Sequence, residues 1–199
     1  MIEMRPNITG VILAGGRSSR MGGNDKGLIP LNGKPLYQHV IDRLRPQVED
    51  LLINANRNQA FYQESGIPVI NDIITGFVGP LAGMHAGLSH SATEWVVFAP
   101  CDVPMLPLNL VSQLWQSKGQ ALAAYVSDSE REHPTLALMH VSLKPTLEAY
   151  LAKGERKLMI LMASINAKRV VFNGQPHQFS NLNTPADCEL WEQGKRGPL

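Results

Sequence analysis

The chain has 199 residues, of which 44% are hydrophobic and 18% are charged, and its formal net charge is +1 at pH 7. These values are typical of a globular domain that buries a substantial core, and they predict one domain over residues 1–199. A general nucleic-acid binder is not expected, because such proteins usually carry a strong basic excess. A membrane span is not expected either, because no stretch approaches the ~20 consecutive apolar residues that one requires.

The two cysteines, Cys101 and Cys188, indicate a reducing compartment. They are far apart in the sequence and have neither zinc-ligand nor redox-motif spacing. A disulfide framework is therefore not expected, and the cytoplasm is the default location. The apolar run at residues 8–14 is too short for a secretory signal core and leads directly into a glycine-rich loop.

Short apolar runs alternate with amphipathic segments along the chain. The predicted strands are residues 8–14, 48–54, 68–70, 95–99, 121–126, 135–139 and 169–172. The predicted helices are residues 35–45, 57–65, 81–91, 108–118, 143–153 and 156–165, and Thr184-Pro185-Ala186-Asp187 predicts the start of a last helix. This alternation predicts an α/β fold with a mostly parallel central sheet that helices cover on both faces.

Ligands on such sheets bind at the carboxyl ends of the strands, near a point where the strand order switches. Functional residues are therefore expected just after Ala14, Asn54, Ile70 and Ala99. The glycine-rich loop at residues 15–27 occupies the first of these places. It predicts a polyphosphate cradle, because its two glycine pairs allow backbone N–H groups to approach a ligand closely. Its three cations are Arg17, Arg20 and Lys26.

This loop has neither P-loop spacing nor the dinucleotide-binding fingerprint. Instead, Leu13-Ala14-Gly15-Gly16, Arg20-Met21-Gly22 and Asp25-Lys26 resemble the signature loop of nucleotidyltransferases with a three-layer Rossmann-like fold. Ser18 stands where the sugar-phosphate branch usually has a third glycine, and the pattern is more similar to the molybdopterin nucleotidyltransferase family. Further segments resemble the molybdenum cofactor guanylyltransferases of that family: residues 54–57, 79–83, 100–104, 133–135 and 181–185.

The resemblance implies transfer of GMP from GTP to the terminal phosphate of the molybdenum-molybdopterin cofactor, with release of pyrophosphate. It implies that the catalytic residues are Arg20, Lys26 and Asp102. Asp102 is also the expected ligand of Mg²⁺, with Mn²⁺ as an alternative, since a single carboxylate after a strand suits a cation that also binds phosphates. The implied nucleotide-binding residues are Leu13, Ala14, Gly15, Gly16, Lys26, Asn54, Asp72 and Asp102.

Acceptor binding is expected in the C-terminal part of the chain, at His133, Asn181 and Asn183. Asn181 and Asn183 flank one residue, so in an extended segment their amides point the same way. The expected partners are GTP, the molybdopterin cofactor and other molybdenum cofactor biosynthesis proteins, with no nucleic acid and no membrane.

The residues alone leave open several alternative roles for single side chains and several alternative substrates. Asp102 and the asparagines could cap turns, and Lys26 could be a solvated loop residue. Cys101 is interpreted as a small buried hydrophobe and not as a nucleophile. The same chemistry could use CTP with the same pterin, or a sugar phosphate as acceptor. A non-catalytic nucleotide sensor is the remaining class, although it would be expected to have lost Asp102 or Lys26.

Overall fold

Nine strands occur in the computed structural model, which describes residues 4–14, 25–76, 79–174 and 176–194. They are β1 (Ile8–Leu13), β2 (Pro30–Leu31), β3 (Lys34–Pro35), β4 (Asp50–Asn54), β5 (Val69–Ile70), β6 (Trp95–Pro100), β7 (Ala123–Ser127), β8 (Glu132–His140) and β9 (Lys168–Val171). Seven of these strands form the central sheet in the order β5-β4-β1-β6-β8-β7-β9, and β2 and β3 form a separate hairpin.

The central sheet is mostly parallel, as predicted. Strands β5, β4, β1 and β6 pair in parallel, whereas β8 is antiparallel to both β6 and β7. The two antiparallel pairings cancel, so β7 runs in the direction of β6, and β9 pairs in parallel with β7. All strands of this sheet except β8 therefore end at the same edge.

Seven α-helices complete the described part of the chain. They are α1 (Leu36–Leu44), α2 (Gln59–Gln63), α3 (Leu81–His90), α4 (Leu110–Ser117), α5 (Lys144–Ala152), α6 (Leu158–Ser164) and α7 (Pro185–Glu192). Buried residues of α1, α2 and α4 pack on one face of the sheet, and those of α3, α5 and α6 pack on the other. This arrangement is the predicted three-layer architecture. No helix in the described ranges combines the length and apolarity needed to cross a bilayer.

The predicted segments are present, with boundaries that differ by a few residues. The last helix begins with the predicted cap, in which Thr184 and Asp187 bond each other's backbone N–H groups. The hairpin of β2 and β3 was missed, although Asn32 and Gly33 connect its strands with φ values of 51° and 77°. An Asn-Gly pair with positive φ at both positions is a strong hairpin signal. Helix α7 packs against this hairpin in a small separate core.

Candidate active site

The register of the sheet brings four expected positions to one edge. Leu13 at the end of β1 is level with Asn54 of β4 on one side and with Pro100 of β6 on the other. Asn54 is in turn level with Ile70 of β5. The residues that follow these strands, among them Asp72 and Asp102, therefore lie at the carboxyl edge where α/β sheets bind ligands.

The backbone at the end of β1 is partly occupied by sheet hydrogen bonds. Ala14 N–H donates to the Asn54 carbonyl at 2.8 Å, and Cys101 N–H donates to the Leu13 carbonyl at 3.1 Å. Within the described residues, neither the carbonyl of Ala14 nor the second lone pair of the Leu13 carbonyl accepts a further hydrogen bond, so both acceptors are available to a nucleobase at this edge. Both remaining groups are acceptors, which suits the N–H edge of guanine. The expected ligand residues Gly15, Gly16 and Arg20 lie outside the described residues.

Asn54 and Asp72 form one hydrogen-bonded unit with Asn56. Asn54 Nδ2 donates to Asp72 Oδ1 at 2.9 Å, and Asn56 Nδ2 donates to Asp72 Oδ2 at 2.9 Å. Asp72 N–H donates back to Asn56 Oδ1 at 2.9 Å. Asn56, for which no role was predicted, stands two positions after Asn54, just beyond the end of β4. The unit fixes the Asp72 carboxylate in front of the strand ends.

Gly83 in α3 leaves the space that Asn54 occupies. A Cβ atom at this position would lie 2.4 Å from Asn54 Oδ1 and 3.1 Å from a methyl carbon of Leu13. Contacts between real Cβ atoms and other heavy atoms are essentially never this short. Asn54 is only 2% exposed. Position 83 must therefore be a glycine if Asn54 is to keep this conformation.

Lys26 connects the two halves of the site. It lies in a short 3₁₀ turn, Lys26–Leu28, that the buried Asp25 begins by accepting a hydrogen bond from Gly27 N–H. Lys26 Nζ donates to Asn183 Oδ1 at 3.0 Å and lies 4.0 Å from Asp102 Oδ2. An expected phosphate-binding cation, an expected metal ligand and an expected acceptor residue thus meet in space.

Asp102 is buried, with 8% of its surface exposed. Burial raises the pKa of its carboxyl, against the opposing effects of the Lys26 charge and a backbone hydrogen bond. A bound cation would favour the charged form. The neighbouring Cys101 is a buried free thiol whose pKa is raised by burial and by the nearby carboxylates. Since the thiolate is the reactive form, this agrees with the interpretation of Cys101 as a buried hydrophobe.

The segment at residues 181–184 is docked on the end of β6. Leu182 N–H donates to the Asp102 carbonyl at 2.9 Å, and the Leu182 side chain is buried in the small core beneath α7. Asp187 Oδ2 accepts hydrogen bonds from the N–H groups of Asn183 and Thr184. The backbone of this segment is therefore held by Leu182 and Asp187, and the amides of Asn181 and Asn183 are not needed to form the turn.

A cavity of about 230 Å³ lies beside Lys26, and His133, Asn181 and Asn183 all line it. Asp128 also lines it, and its Oδ2 lies 2.7 Å from His133 Nε2. No role was predicted for Asp128 from the sequence. The signal was present, because Asp128 directly follows β7, whose carboxyl end is at the same edge as those of β1, β4 and β6.

The chain is similar to known proteins over most of its length. The model of the MobA-like NTP transferase domain matches residues 10–176. The chain belongs to this family. It is 77% identical over 194 residues to a molybdenum cofactor guanylyltransferase of Yersinia pseudotuberculosis serotype O:1b, with 98% of this chain and 100% of that protein covered. It is 76% identical, with the same coverage, to a molybdenum cofactor guanylyltransferase of Yersinia pestis strain Pestoides F.

Solved structures share the fold of this family member. Molybdopterin-guanine dinucleotide biosynthesis protein A of Archaeoglobus fulgidus superposes with a TM-score of 0.73 at 24% identity, and the match covers 93% of this chain and 97% of that one. A 4-diphosphocytidyl-2C-methyl-D-erythritol synthase of Anaerococcus prevotii gives 0.74 at 12% identity, with 95% and 96% covered. At these identities the likeness establishes the nucleotidyltransferase fold.

The family fold raises the question of a metal ion. Within the described residues, no three His, Cys, Asp or Glu side chains come together as a complete metal site. The single carboxylate of Asp102 fits Mg²⁺, which commonly takes one or two protein carboxylates and completes its octahedron with water and phosphate oxygens.

Proposed function

We propose that this chain transfers GMP from GTP to the terminal phosphate of the molybdenum-molybdopterin cofactor. A phosphate oxygen of the acceptor attacks the α-phosphorus of GTP and forms the new P–O bond. The bond between the α-phosphorus and the bridging oxygen breaks, and pyrophosphate leaves with the electron pair. The products are the guanine dinucleotide form of the cofactor and pyrophosphate.

The position of Lys26 is the observation that carries the proposal. Its ammonium group lies between Asp102 and Asn183, so that it can reach phosphates of both substrates. The attacking oxygen is already an anion, so no general base is required, and catalysis consists of alignment and charge neutralisation. Mg²⁺, or Mn²⁺ in its place, would be held by Asp102 and would neutralise charge on the phosphates. Arg20 is proposed to contribute a second cation.

Guanine recognition is assigned to the end of β1 and to the unit of Asn54, Asn56 and Asp72. The carbonyls of Leu13 and Ala14 and the Asp72 carboxylate are acceptors, and guanine presents donors at N1 and N2. Cytosine lacks the N1–H and N2–H₂ pair of donors, and adenine presents its amino group at a different position. Buried acceptors that a wrong base leaves unpaired would lower its affinity.

The similarity over nearly the whole chain to guanylyltransferases supports GTP and the molybdenum cofactor as the substrates. Other proteins of cofactor biosynthesis are proposed as partners that supply or receive the pterin. The cytoplasm is the proposed location, supported by two cysteines that are both free and buried.

The test is a reconstituted reaction with the full chain, Mg²⁺, molybdenum-molybdopterin and one of four nucleotides, GTP, CTP, ATP or UTP. We expect the dinucleotide and pyrophosphate to appear in equal amounts with GTP and at least tenfold more slowly with the other three. A thermal-shift panel of the same nucleotides provides a binding readout, since a ligand at 100 times its dissociation constant adds ~2.7 kcal/mol to the free energy of unfolding. Preferred turnover of CTP would overturn the proposal, as would binding of GTP without any transfer.

A further inference from the structure

The cavity beside Lys26 contains a histidine whose ring is fixed by a buried carboxylate. Asp128 is 7% exposed and accepts three hydrogen bonds. The N–H groups of Glu130 and Arg131 donate to its Oδ1 at 2.9 and 2.8 Å, and His133 Nε2 lies 2.7 Å from its Oδ2. A carboxylate only accepts hydrogen bonds, so Nε2 of His133 carries the proton of this bond.

The charge of Asp128 is stable in this environment. Burial alone would raise the pKa of Asp128, but the hydrogen bonds from His133 and from the two backbone N–H groups outweigh burial and lower it. In a neutral imidazole with the proton on Nε2, the other nitrogen is an acceptor. In that neutral form Nδ1 of His133 offers a lone pair, and among the described residues no hydrogen bond joins Nδ1 to a donor, whereas Nε2 is paired with Asp128.

The orientation of the His133 ring is also fixed by packing. It stacks on Phe179, with ring centroids 5.3 Å apart and an angle of 27° between the planes. Phe172 in turn packs edge-on against the Phe179 ring. Because both the plane and the tautomer of His133 are fixed, its Nδ1 lone pair points in one direction.

The lining of the cavity suits a neutral heterocycle better than a phosphate. The carboxylates of Asp128 and Glu130 outnumber the guanidinium of Arg131, and the amides of Asn181 and Asn183 provide uncharged donors and acceptors. A volume of about 230 Å³ is below the ~300–1,000 Å³ of pockets that enclose drug-sized ligands. This size suits one flat ring system of the acceptor, with the rest of the molecule extending out of the cavity.

His133, Asn181 and Asn183 are already expected to bind the acceptor, and all three line this cavity. We propose that Asp128 is a positioning residue for that acceptor, because it fixes His133 so that Nδ1 accepts a hydrogen bond from an N–H group of the pterin ring. This inference rests on the proposed function for the identity of the acceptor. Asn183 touches both the cavity and Lys26, so a pterin in the cavity would extend its phosphate towards Lys26 and Asp102. The same contact explains how a neutral ring and an anionic phosphate of one molecule are accommodated by adjacent parts of the site.

Asp128→Asn is the first test. The side-chain oxygen can still accept the N–H groups of Glu130 and Arg131, while the new amide nitrogen donates towards His133 Nε2. The imidazole proton then moves to Nδ1, and the acceptor for the pterin is lost. We expect the KM for molybdopterin to rise about tenfold, as for one lost hydrogen bond, with GTP binding unchanged. Nitrogen-15 NMR of labelled histidine should show an Nε2–H tautomer for His133 in the wild type and an Nδ1–H tautomer in the variant.

His133→Gln is the second test, because it removes Nδ1 and keeps an amide that can reach Asp128. It should weaken acceptor binding in the same way, whereas His140→Gln, at the other end of β8, should leave it unchanged. If either cavity variant fails to fold, titration of the wild type with phosphate-free pterin and with inorganic phosphate provides an independent test. Pterin should shift the His133 Nδ1 resonance, and phosphate should not.

A wild-type His133 already protonated at Nδ1, or a response to phosphate without a response to pterin, would overturn the inference. An unchanged KM for molybdopterin in both cavity variants would do the same. These readouts do not require turnover, so they remain interpretable if the chain transfers no GMP. Conversely, GMP transfer with an unaltered KM in these variants would support the proposed function and refute the pterin site.

Discussion

Lys26 and Asn183 are 157 positions apart in the sequence, and Lys26 Nζ donates to Asn183 Oδ1 at 3.0 Å. The contact joins the glycine-rich loop after β1 to the segment that precedes α7. Asp102, whose carbonyl accepts the N–H of Leu182, is the third member of this junction. The residues expected to bind the nucleotide and those expected to bind the acceptor are therefore in direct contact through Lys26 in the free protein.

Lys26→Ala should lower kcat more than it weakens GTP binding. A preorganised charge that stabilises the developing negative charge contributes about 10²–10³-fold in kcat, whereas GTP keeps its base and ribose contacts. Steady-state kinetics with both substrates would measure the effect, and Lys34→Ala, which removes an exposed lysine paired with Asp42, is the matched control. If only the KM for GTP rises, Lys26 is a binding residue without a catalytic role.

Asp102→Asn should abolish most of the magnesium-dependent activity and preserve the fold. The amide keeps the shape of the side chain but loses the charge that a metal ion needs, so we expect kcat to fall at least about 10²-fold. Burial raises the pKa of Asp102, which means that its charged form is unfavourable in the folded protein. The neutral amide should therefore leave the unfolding temperature equal or slightly higher.

Turnover at saturating Mg²⁺ and the unfolding temperature are the two measurements for this variant. Asp42→Asn, at an exposed carboxylate, is the control and should change neither. Near-normal activity of Asp102→Asn in Mg²⁺ would remove Asp102 from the metal site.

Gly83 and Gly87 lie one turn apart in α3 and face different neighbours. Substitutions at these two positions should therefore distinguish an effect on base binding from an effect on core packing. A Cβ atom at Gly83 would meet Asn54 at 2.4 Å, and one at Gly87 would meet the Phe98 ring at 2.6 Å. Gly83→Ala should displace Asn54 and lower the affinity for GTP by about tenfold, as for one lost hydrogen bond. Gly87→Ala should destabilise the core and leave the preference among nucleotides unchanged.

A thermal-shift panel with GTP, CTP, ATP and UTP on both glycine variants would measure this difference. The preference for GTP should decrease only in Gly83→Ala. An unchanged preference in that variant, with the fold intact, would show that Asn54 has no part in reading the base.

The sequence predicted those parts of the fold that depend on local pattern. Apolar runs and helical periodicity located the strands and helices, and the rule for ligand binding at strand ends predicted a ligand position at the end of β1. The antiparallel direction of β8 was not predictable, because alternation of strands and helices does not determine the direction of a strand that follows another without a helix. The contact between Lys26 and Asn183 was not predictable either, because it depends on how α7 packs on the β2–β3 hairpin.

The role of Asp128 was not predictable for a different physical reason. An aspartate after a strand and before Ser129 has many ordinary roles in turns. The neighbouring residues in the sequence do not indicate that His133 is its hydrogen-bond partner. Only the return of β8 beside β7 brings the two side chains together. The rule that ligands bind at strand ends could have selected Asp128, but it could not have assigned the hydrogen bond.

The double variant Asn181→Ala/Asn183→Ala should weaken molybdopterin binding and leave the unfolding temperature near its wild-type value. Leu182 and Asp187 hold the backbone of this segment, so the fold should survive the loss of both amides. The cavity would lose two uncharged hydrogen-bonding groups, and we expect the dissociation constant for molybdopterin to rise by about tenfold or more. Binding of GTP should change little, although Lys26 loses its partner in the free protein.

The measurement is a pair of titrations, one for each ligand, on the same folded variant, with the single change Asn181→Ala as an internal comparison. Both asparagines line the cavity, but Asn183 also accepts a hydrogen bond from Lys26. The single change at Asn181 therefore tests acceptor binding without removing the contact to Lys26. Asp187→Ala is the structural control: loss of its cap should cost about 1 kcal/mol of stability and disturb the segment as a whole. If the double variant behaves like Asp187→Ala, with lower stability and equal weakening of both ligands, then Asn181 and Asn183 serve the structure of the segment and do not bind the acceptor.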